Sequence, residues 1–429
     1  MSGGHSHGNG GHHAPIGAAT RLLHAGAPAL RGGSGPVNVP VVRTSTVRFG
    51  STADYADHHH RRTAGERVAS YGRHGLDTHR ALEDAVTALE GGHRAFLAPS
   101  GLAAITLVLV ALLSPGDHAL VADSVYSPVR RVDATLLQRL GITLEYFSPS
   151  QGDLAAKIRP NTRLIYVESP SSLLYEVLDL PAIAAVARAH GIPLATDNTW
   201  SGGWFLQPLA LGANISVQAA TKYIAGHSDV MQGTVVTDSE ELTERIATAY
   251  EALGLTVGAD DAYLALRGVR TLPVRLAQHQ RHATRVAEWL QEQLQVGRVF
   301  YPALPSDPGH ALWKRDFSGA SGLVSFAFAD GNGGNGHGGV DARGANAFVD
   351  ALRFFGIGAS WGGYESLALV AQPERLREHS AWTGNAPVVR LHVGLEDPED
   401  LIGDLGQALG KVATGVVGGC VRSDDSFAA

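Results

Sequence analysis

Apolar positions along this chain fall into two alternating rhythms. Downstream of Gly75, "THRALEDAVTALEG" has the spacing of an amphipathic helix and ends on a glycine pair. "RAFLA" then reads as a short strand. "SGLAAITLVLVALLS" reads as a buried helix closed by Pro115 and Gly116, and "HALVAD" as the next strand. "TRLIYVESP" and "IPLATDNTW" are apolar strands ending in polar residues, with the helix "LPAIAAVARAHG" between them. "ISVQAAT" and "GTVVT" add two more strands. Strands alternating with helices predict an α/β fold with a mainly parallel sheet covered on both faces. Ligands of such sheets sit beyond the carboxyl ends of the strands, which groups Ser100, Glu168, Asp197 and Lys222 around one candidate site.

After about residue 272 the texture changes. A long helix, "LPVRLAQHQRHATRVAEWLQEQL", precedes "RVFYPAL" and "GLVSFAFA". A glycine loop at 331–339, the helix "ANAFVDALRFFG" and the strand "VVRLHVGLE" follow. This pattern predicts a smaller α+β domain. The glycine loop lacks the strand-to-helix context of a nucleotide fingerprint and reads as a flexible surface connection.

Composition narrows the class. With 429 residues, 44% of them hydrophobic and 17% charged, the chain can bury a large core in two or three domains. A formal net charge of −7 and the lack of an arginine block argue against nucleic-acid binding. Cys420 is the single cysteine, so no internal disulfide forms, which suits a reducing cytoplasm. The N-terminus has no apolar signal core, and "LAAITLVLVALL" is too short to span a bilayer. The leader "MSGGHSHGNGGHH" reads as a solvated, disordered tail. Its histidines, like His58, His59 and His60, imply no fixed ligand geometry, and no metal site is expected.

Only four lysines occur, Lys157, Lys222, Lys314 and Lys411. Lys222 differs from the rest because small residues crowd it in "QAATKYIAGHSD". A lysine near a site can join a carbonyl as a Schiff base once desolvation or a like charge lowers its pKa. An ordinary loop lysine in a salt bridge is the other reading. Asp197 ends a strand and can hold a cationic ring nitrogen, or can simply cap the next turn. "PSGLAA" places Ser100 and Gly101 at a helix start directly after a strand, where backbone N–H groups can take a phosphate. Thr221 can add a hydroxyl, and Tyr126 an aromatic face. Arg390, flanked by apolar residues on a predicted strand, calls for an anionic partner, either a substrate carboxylate or a structural acid. These features are together what pyridoxal phosphate needs.

The segments "YGRHGLDTHRALE", "PSGLAAI", "ESPSSLLYEV", "DNTWSGG", "QAATKYIAGHSDVMQG", "WKRDFSGASGL", "SWGGYESL" and "RLHVGLED" resemble the pyridoxal-phosphate enzymes of cysteine and methionine metabolism. The likeness runs from about Ala18 to Leu409 with the motifs in order. "SWGGYES" and "DNTW" favour the branch that splits the thioether cystathionine by β-elimination. The resemblance implies an aspartate-aminotransferase-like (type I) fold: a large, mainly parallel-sheet cofactor domain plus a smaller α+β C-terminal domain. It divides the chain into a leader (1–16), an arm reaching a neighbouring subunit (17–75), the cofactor domain (76–272) and the small domain (273–429), with a variable tail after about 410.

By motif, the resemblance makes Lys222 the Schiff-base lysine and Asp197 the partner of the pyridine nitrogen. Tyr126 stacks on the ring, and Ser100, Gly101, Leu102 and Thr221 hold the phosphate. Tyr71 and Arg73 are expected to reach the phosphate of a neighbouring subunit, which implies a homo-oligomer with shared sites, a tetramer by family habit. Arg390 and Ser360 are expected to bind the substrate α-carboxylate, with Trp361 beside them and Tyr263 at the entrance. Ala359 stands where relatives can carry a larger residue. Neither nucleic acid nor membrane is an expected partner; the substrate is a small amino-acid thioether. Cysteine desulfhydrase or broad C–S lyase activity, or γ-lyase, γ-synthase or sulfhydrylase activity, remain open within the family. A metal-binding role for the leader is a further alternative.

Overall fold

Seven strands form the large sheet: β1 (Arg94–Ala98), β2 (His118–Ala122), β3 (Thr143–Phe147), β4 (Thr162–Glu168), β5 (Leu194–Asp197), β6 (Ile215–Gln218) and β7 (Gly233–Thr237). The computed structural model describes residues 16–28, 33–148, 153–329, 340–371, 384 and 386–413. Most of the Gly/His leader, the glycine loop at 331–339, Cys420 and the tail from 414 lie outside the described residues. The strand order is β1-β7-β6-β5-β4-β2-β3. Strands β3, β2, β4, β5 and β6 run parallel, and β7 is antiparallel to both its neighbours. The mainly parallel sheet read from the sequence is thus present. Strands β2, β6 and β7 are buried at every position, as expected of strands covered on both faces. Helices Gly101–Leu112, Leu180–Ala189 and Glu240–Leu253 pack Leu107, Val108, Ala184 and Ile246 into the core around this sheet.

A second sheet contains β8 (Val296–Phe300), β9 (Leu323–Phe328), β10 (Gly356–Ile357), β11 (Leu367–Ala371) and β12 (Val388–His392), in the order β10-β11-β12-β9-β8. It is antiparallel apart from the short β10–β11 pair. Phe326, Phe328 and Phe348 make an edge-to-face aromatic group in its core. Helices Ala342–Asp350 and Pro398–Ala413 belong to this part of the chain. No helix among the described residues is long and apolar enough to cross a membrane.

The long helix begins earlier than its sequence pattern indicates. It runs from Ala259 to Gln291 and passes through Pro273, which reads in isolation as a helix start. Pro273 lacks an N–H and so forfeits one backbone bond, but buried Val269, Leu272 and Leu276 anchor the helix on both sides of it. The helix Thr52–Thr63 has no buried residue, hence no apolar stripe for the pattern to reveal.

Gly268 lets the long helix press on the segment carrying Lys222. A Cβ there would stand 2.3 Å from both the Ile224 and the Ala225 carbonyl oxygens. Gly268→Ala therefore has to push this helix off that segment, a cost of about 1–3 kcal/mol. Urea unfolding of the variant should show a matching drop in midpoint with an unchanged slope; an unaltered midpoint would contradict the packing argument.

Candidate active site

The carboxyl ends of β1, β4, β5 and β6 open onto one cavity of about 550 Å³, closed from the second sheet by Leu323, residues 359–361 and Arg390. Ser100, Gly101, Leu102, Tyr126, Glu168, Asp197, Thr221, Lys222, Ser360, Trp361 and Arg390 all line it. The structure therefore brings together eleven residues singled out in the sequence. Tyr71, Arg73 and Tyr263 do not line this cavity. Tyr71 is 44% exposed. The Arg73 guanidinium donates to the Glu251 carbonyl at 3.3 Å, beside a separate recess shared with Tyr250. Tyr263 is half-buried on the long helix, in the same apolar group that Trp361 packs against.

One end of the cavity presents the N-terminus of a helix. Ser100 caps the helix Gly101–Leu112, its hydroxyl accepting from the Ala103 N–H at 3.1 Å. The Ala104 N–H bonds the Ser100 carbonyl at 3.0 Å. The Gly101 and Leu102 N–H groups, ahead of these, lie at the positive end of the helix. Gly101 is needed for the close approach of this turn to the next segment, since a Cβ would stand 2.6 Å from that of Ala219. The Thr221 hydroxyl donates to the Gln232 carbonyl (3.1 Å) and accepts from the Gln232 N–H (2.9 Å). Its proton is thus committed to the backbone.

Asp197 ends β5 and is buried. Its Oδ1 accepts from the Thr199 N–H at 2.9 Å and the Thr199 hydroxyl at 2.5 Å. Burial raises its pKa, with the Thr199 bonds pulling the other way. No ion pair forms with it among the described residues, so a cationic group presented from the cavity is the partner this carboxylate lacks. The Tyr126 N–H donates to Glu168 Oε2 at 2.5 Å, which fixes the backbone from which the half-exposed Tyr126 ring projects.

Lys222 lies in the turn after β6, half-buried. Its Nζ donates to the Ser360 hydroxyl at 2.6 Å and stands 5.2 Å from the Trp361 ring centroid. Burial, then the like charge of Arg390, push the amine down to about 8, against the opposing pull of Asp197. The turn is braced from behind: Arg275, itself buried, donates to the carbonyls of Tyr223 and Gly268, each at 2.8 Å.

Arg390 is 9% exposed on β12 and forms no ion pair among the described residues. Its Nη2 donates to the Ser360 carbonyl at 2.9 Å, while its Nε is buried without a partner. Ser360 has φ +81°, a left-handed conformation rare outside glycine. Tyr175 is a lining residue that the sequence did not single out. It is buried, has φ +51°, and its hydroxyl accepts from Ser325 at 3.2 Å. A tyrosine in an apolar run reads as core, and the turn that aims it at the cavity leaves no spacing signal.

The family described as "Cys/Met metabolism PLP-dependent enzyme" matches residues 19–410. A cystathionine beta-lyase of Bordetella avium is 51% identical over 92% of this chain and 98% of its own length. The cystathionine beta-lyase MetC of Escherichia coli is 39% identical over 92% and 98%. Among solved structures, a cystathionine gamma-lyase from Lactobacillus plantarum, complexed with L-serine, superposes with a TM-score of 0.81 at 29% identity, over 92% of this chain and 99% of that one.

The lowered amine has a direct readout. Acylation of Lys222 in the cofactor-free protein, followed by peptide mass spectrometry, should rise with pH through a midpoint of about 8, because only the neutral amine attacks. Removing the neighbouring positive charge in Arg390→Leu should move that midpoint upward. A midpoint in the ordinary lysine range in the unsubstituted protein would contradict the site described.

Proposed function

The chain belongs to the Cys/Met metabolism PLP-dependent enzymes, and from that membership we propose that it cleaves cystathionine by β-elimination to homocysteine, pyruvate and ammonia. It is a pyridoxal-phosphate-dependent carbon–sulfur lyase, and curated beta-lyases matching nearly its whole length support the cystathionine reading. The observation that carries the mechanism is the Lys222 amine, lowered to about 8 and 2.6 Å from Ser360, between the Asp197 and Arg390 sides of one cavity.

The residues present suit the cofactor. Asp197 is a buried carboxylate without a cationic partner among the described residues, and suits a protonated pyridine nitrogen. The turn Ser100–Leu102, narrowed by Gly101 against Ala219, suits the phosphate, with Thr221 at its edge. Lys222 would hold the aldehyde, and Tyr126 the ring face. When bound, pyridoxal phosphate supplies the sink for the electron pair left at the substrate α-carbon. Lys222 then accepts the α-proton at Nζ, since an amine lowered to about 8 is substantially neutral near that pH. The same Nζ returns a proton to the leaving sulfur. Arg390 and Ser360 orient the substrate carboxylate, the Arg390 Nε offering a buried donor with no protein partner. Trp361 covers Lys222 on its small-domain side.

Tyr71 and Arg73 lie away from the cavity of their own chain, which is what a residue working in a neighbouring subunit's site requires. On this reading the enzyme is a homotetramer with shared sites, acting in the cytoplasm in methionine biosynthesis.

Lys222→Ala should abolish pyruvate release from cystathionine and the visible absorbance of the loaded protein. Full turnover by that variant would sink the mechanism. Arg390→Ala should raise KM for cystathionine by about tenfold or more through the lost charged contact. Competition among cystathionine, cystine and cysteine, scored as kcat/KM, decides between the proposed substrate and smaller thiols. Co-expressing Lys222→Ala with Arg73→Ala subunits should restore part of the activity each lacks alone, as mixed oligomers regain an intact shared site; no recovery would argue against sharing.

A further inference from the structure

Glu90 ends the helix Asp77–Glu90 and is 1% exposed. Nothing in the mechanism above uses it, and no cation pairs with it among the described residues. Its carboxylate instead accepts from two side-chain amides. One is Asn198 Nδ2 at 3.1 Å; the other is Gln218 Nε2. Asn198 directly follows Asp197, and Gln218 is the last residue of β6, on the turn into Lys222.

The geometry around this carboxylate is crowded. Asn198 is fixed further by its Oδ1, which accepts from the Ser201 hydroxyl at 2.5 Å, and by a second Nδ2 bond to the Leu206 carbonyl at 3.2 Å. Gly203 has φ +72°, and a Cβ on it would stand 2.6 Å from Gln218 Nε2 and 2.9 Å from Glu90 Oε1. Two amide N–H donors cannot bond each other. An acceptor is required to tie them, and Glu90 supplies it from a third element.

Within the sheet, β5 and β6 are held by their ladder, which pairs Asp197 with Val217. Just past that pair, the Asn198 N–H donates to the Val217 carbonyl at 2.8 Å and the Ala219 N–H to the Thr199 hydroxyl at 2.9 Å, and Glu90 adds a side-chain tie between the same two segments. We propose that Glu90 is a positioning residue of the cofactor site: by tying Asn198 to Gln218 it fixes Asp197 relative to Lys222. The proposal rests on pyridoxal phosphate occupying this cavity, held at its ring nitrogen by Asp197 and at its aldehyde by Lys222. Burial raises the Glu90 carboxyl to about 7, with the amide donors opposing.

The test uses the full-length protein loaded with pyridoxal phosphate. Retention is measured by equilibrium dialysis, and the pH midpoint of the visible band by absorbance. Glu90→Gln places an amide against two amide donors and should weaken cofactor retention by about tenfold. It should also shift the midpoint of the band, because Asp197 is displaced from the ring nitrogen; mere loss of fold stability would not move that midpoint. In the swap Glu90→Gln with Gln218→Glu, the amide at position 90 can accept from Asn198 Nδ2 and donate to the carboxylate at position 218, which completes the tie again and should return both readouts towards the wild type. Wild-type retention and midpoint in Glu90→Gln overturn the proposal. If Glu90→Gln does not fold, the swap decides: a folded swap with wild-type retention supports the proposal. A folded swap that retains cofactor poorly, or a swap that does not fold, overturns it. A wild-type protein that fails to load pyridoxal phosphate overturns the cofactor reading itself, and the proposal with it.

Discussion

The Lys222 amine stands among groups that disfavour its charged form, and much of the surrounding structure follows from that. Burial and the Arg390 charge both act against the ammonium, and its hydrogen-bond partner is the neutral Ser360 hydroxyl. Asp197 is the acid that pulls the other way, and Thr199 already occupies one of its oxygens. A lysine kept in this state needs close packing that does not supply a carboxylate. Glycines provide it. A Cβ on Gly362 would stand 2.9 Å from Lys222 Cα, and one on Gly226 would stand 2.0 Å from the Arg275 guanidinium. Side chains at these positions would force the lysine segment away from its supports.

The loop opposite Lys222 is controlled from one strand. Arg390 and His392 lie two apart on β12, so both side chains leave the same face of the sheet. Arg390 holds the Ser360 carbonyl, and His392 Nε2 lies 3.1 Å from both the Gly362 nitrogen and the Gly363 carbonyl oxygen. Full burial holds His392 neutral, so its tautomer decides which of these two backbone groups that nitrogen bonds. A left-handed Ser360 costs about 1–3 kcal/mol unless its surroundings enforce it. These two bonds, with Tyr223 packed on Trp361 at 5.4 Å between ring centroids, are what enforce it.

How far the sequence could be read depended on whether a residue acts through its neighbours in the chain or through space. Strand β1 and the helix after it were legible because "RAFLA" and "SGLAAITLVLVALL" carry continuous apolar runs broken by turn residues. Asp197 stood out because it ends such a run, and Lys222 because small residues crowd this rare lysine just after one. The start of the long helix was not legible, since Pro273 imitates a helix beginning and only tertiary packing carries the helix through it. Tyr175 and Glu90 were missed for a related reason. One looks like a core aromatic and the other like the last acid of an amphipathic helix. Their significance lies in Ser325, Asn198 and Gln218, which are distant in the chain.

The two sheets divide the labour at the cavity. Groups suited to the cofactor come from the large sheet and its helix start. Groups suited to the substrate carboxylate, Ser360 and Arg390, come from the second sheet and its loop. The long helix joins the two parts. Its first half packs Val269 and Leu272 in the apolar group beneath Lys222, and its second half packs Val286 and Leu290 into the core of the second sheet. Unbroken at Pro273, it sets the distance between lysine and arginine as a single strut. A bend in that helix would therefore change how the substrate carboxylate is presented to Lys222 while leaving Asp197 and the Ser100 turn in place. On this architecture, altered substrate selectivity without altered cofactor binding should arise more readily from the helix and from residues 359–361 than from the large sheet.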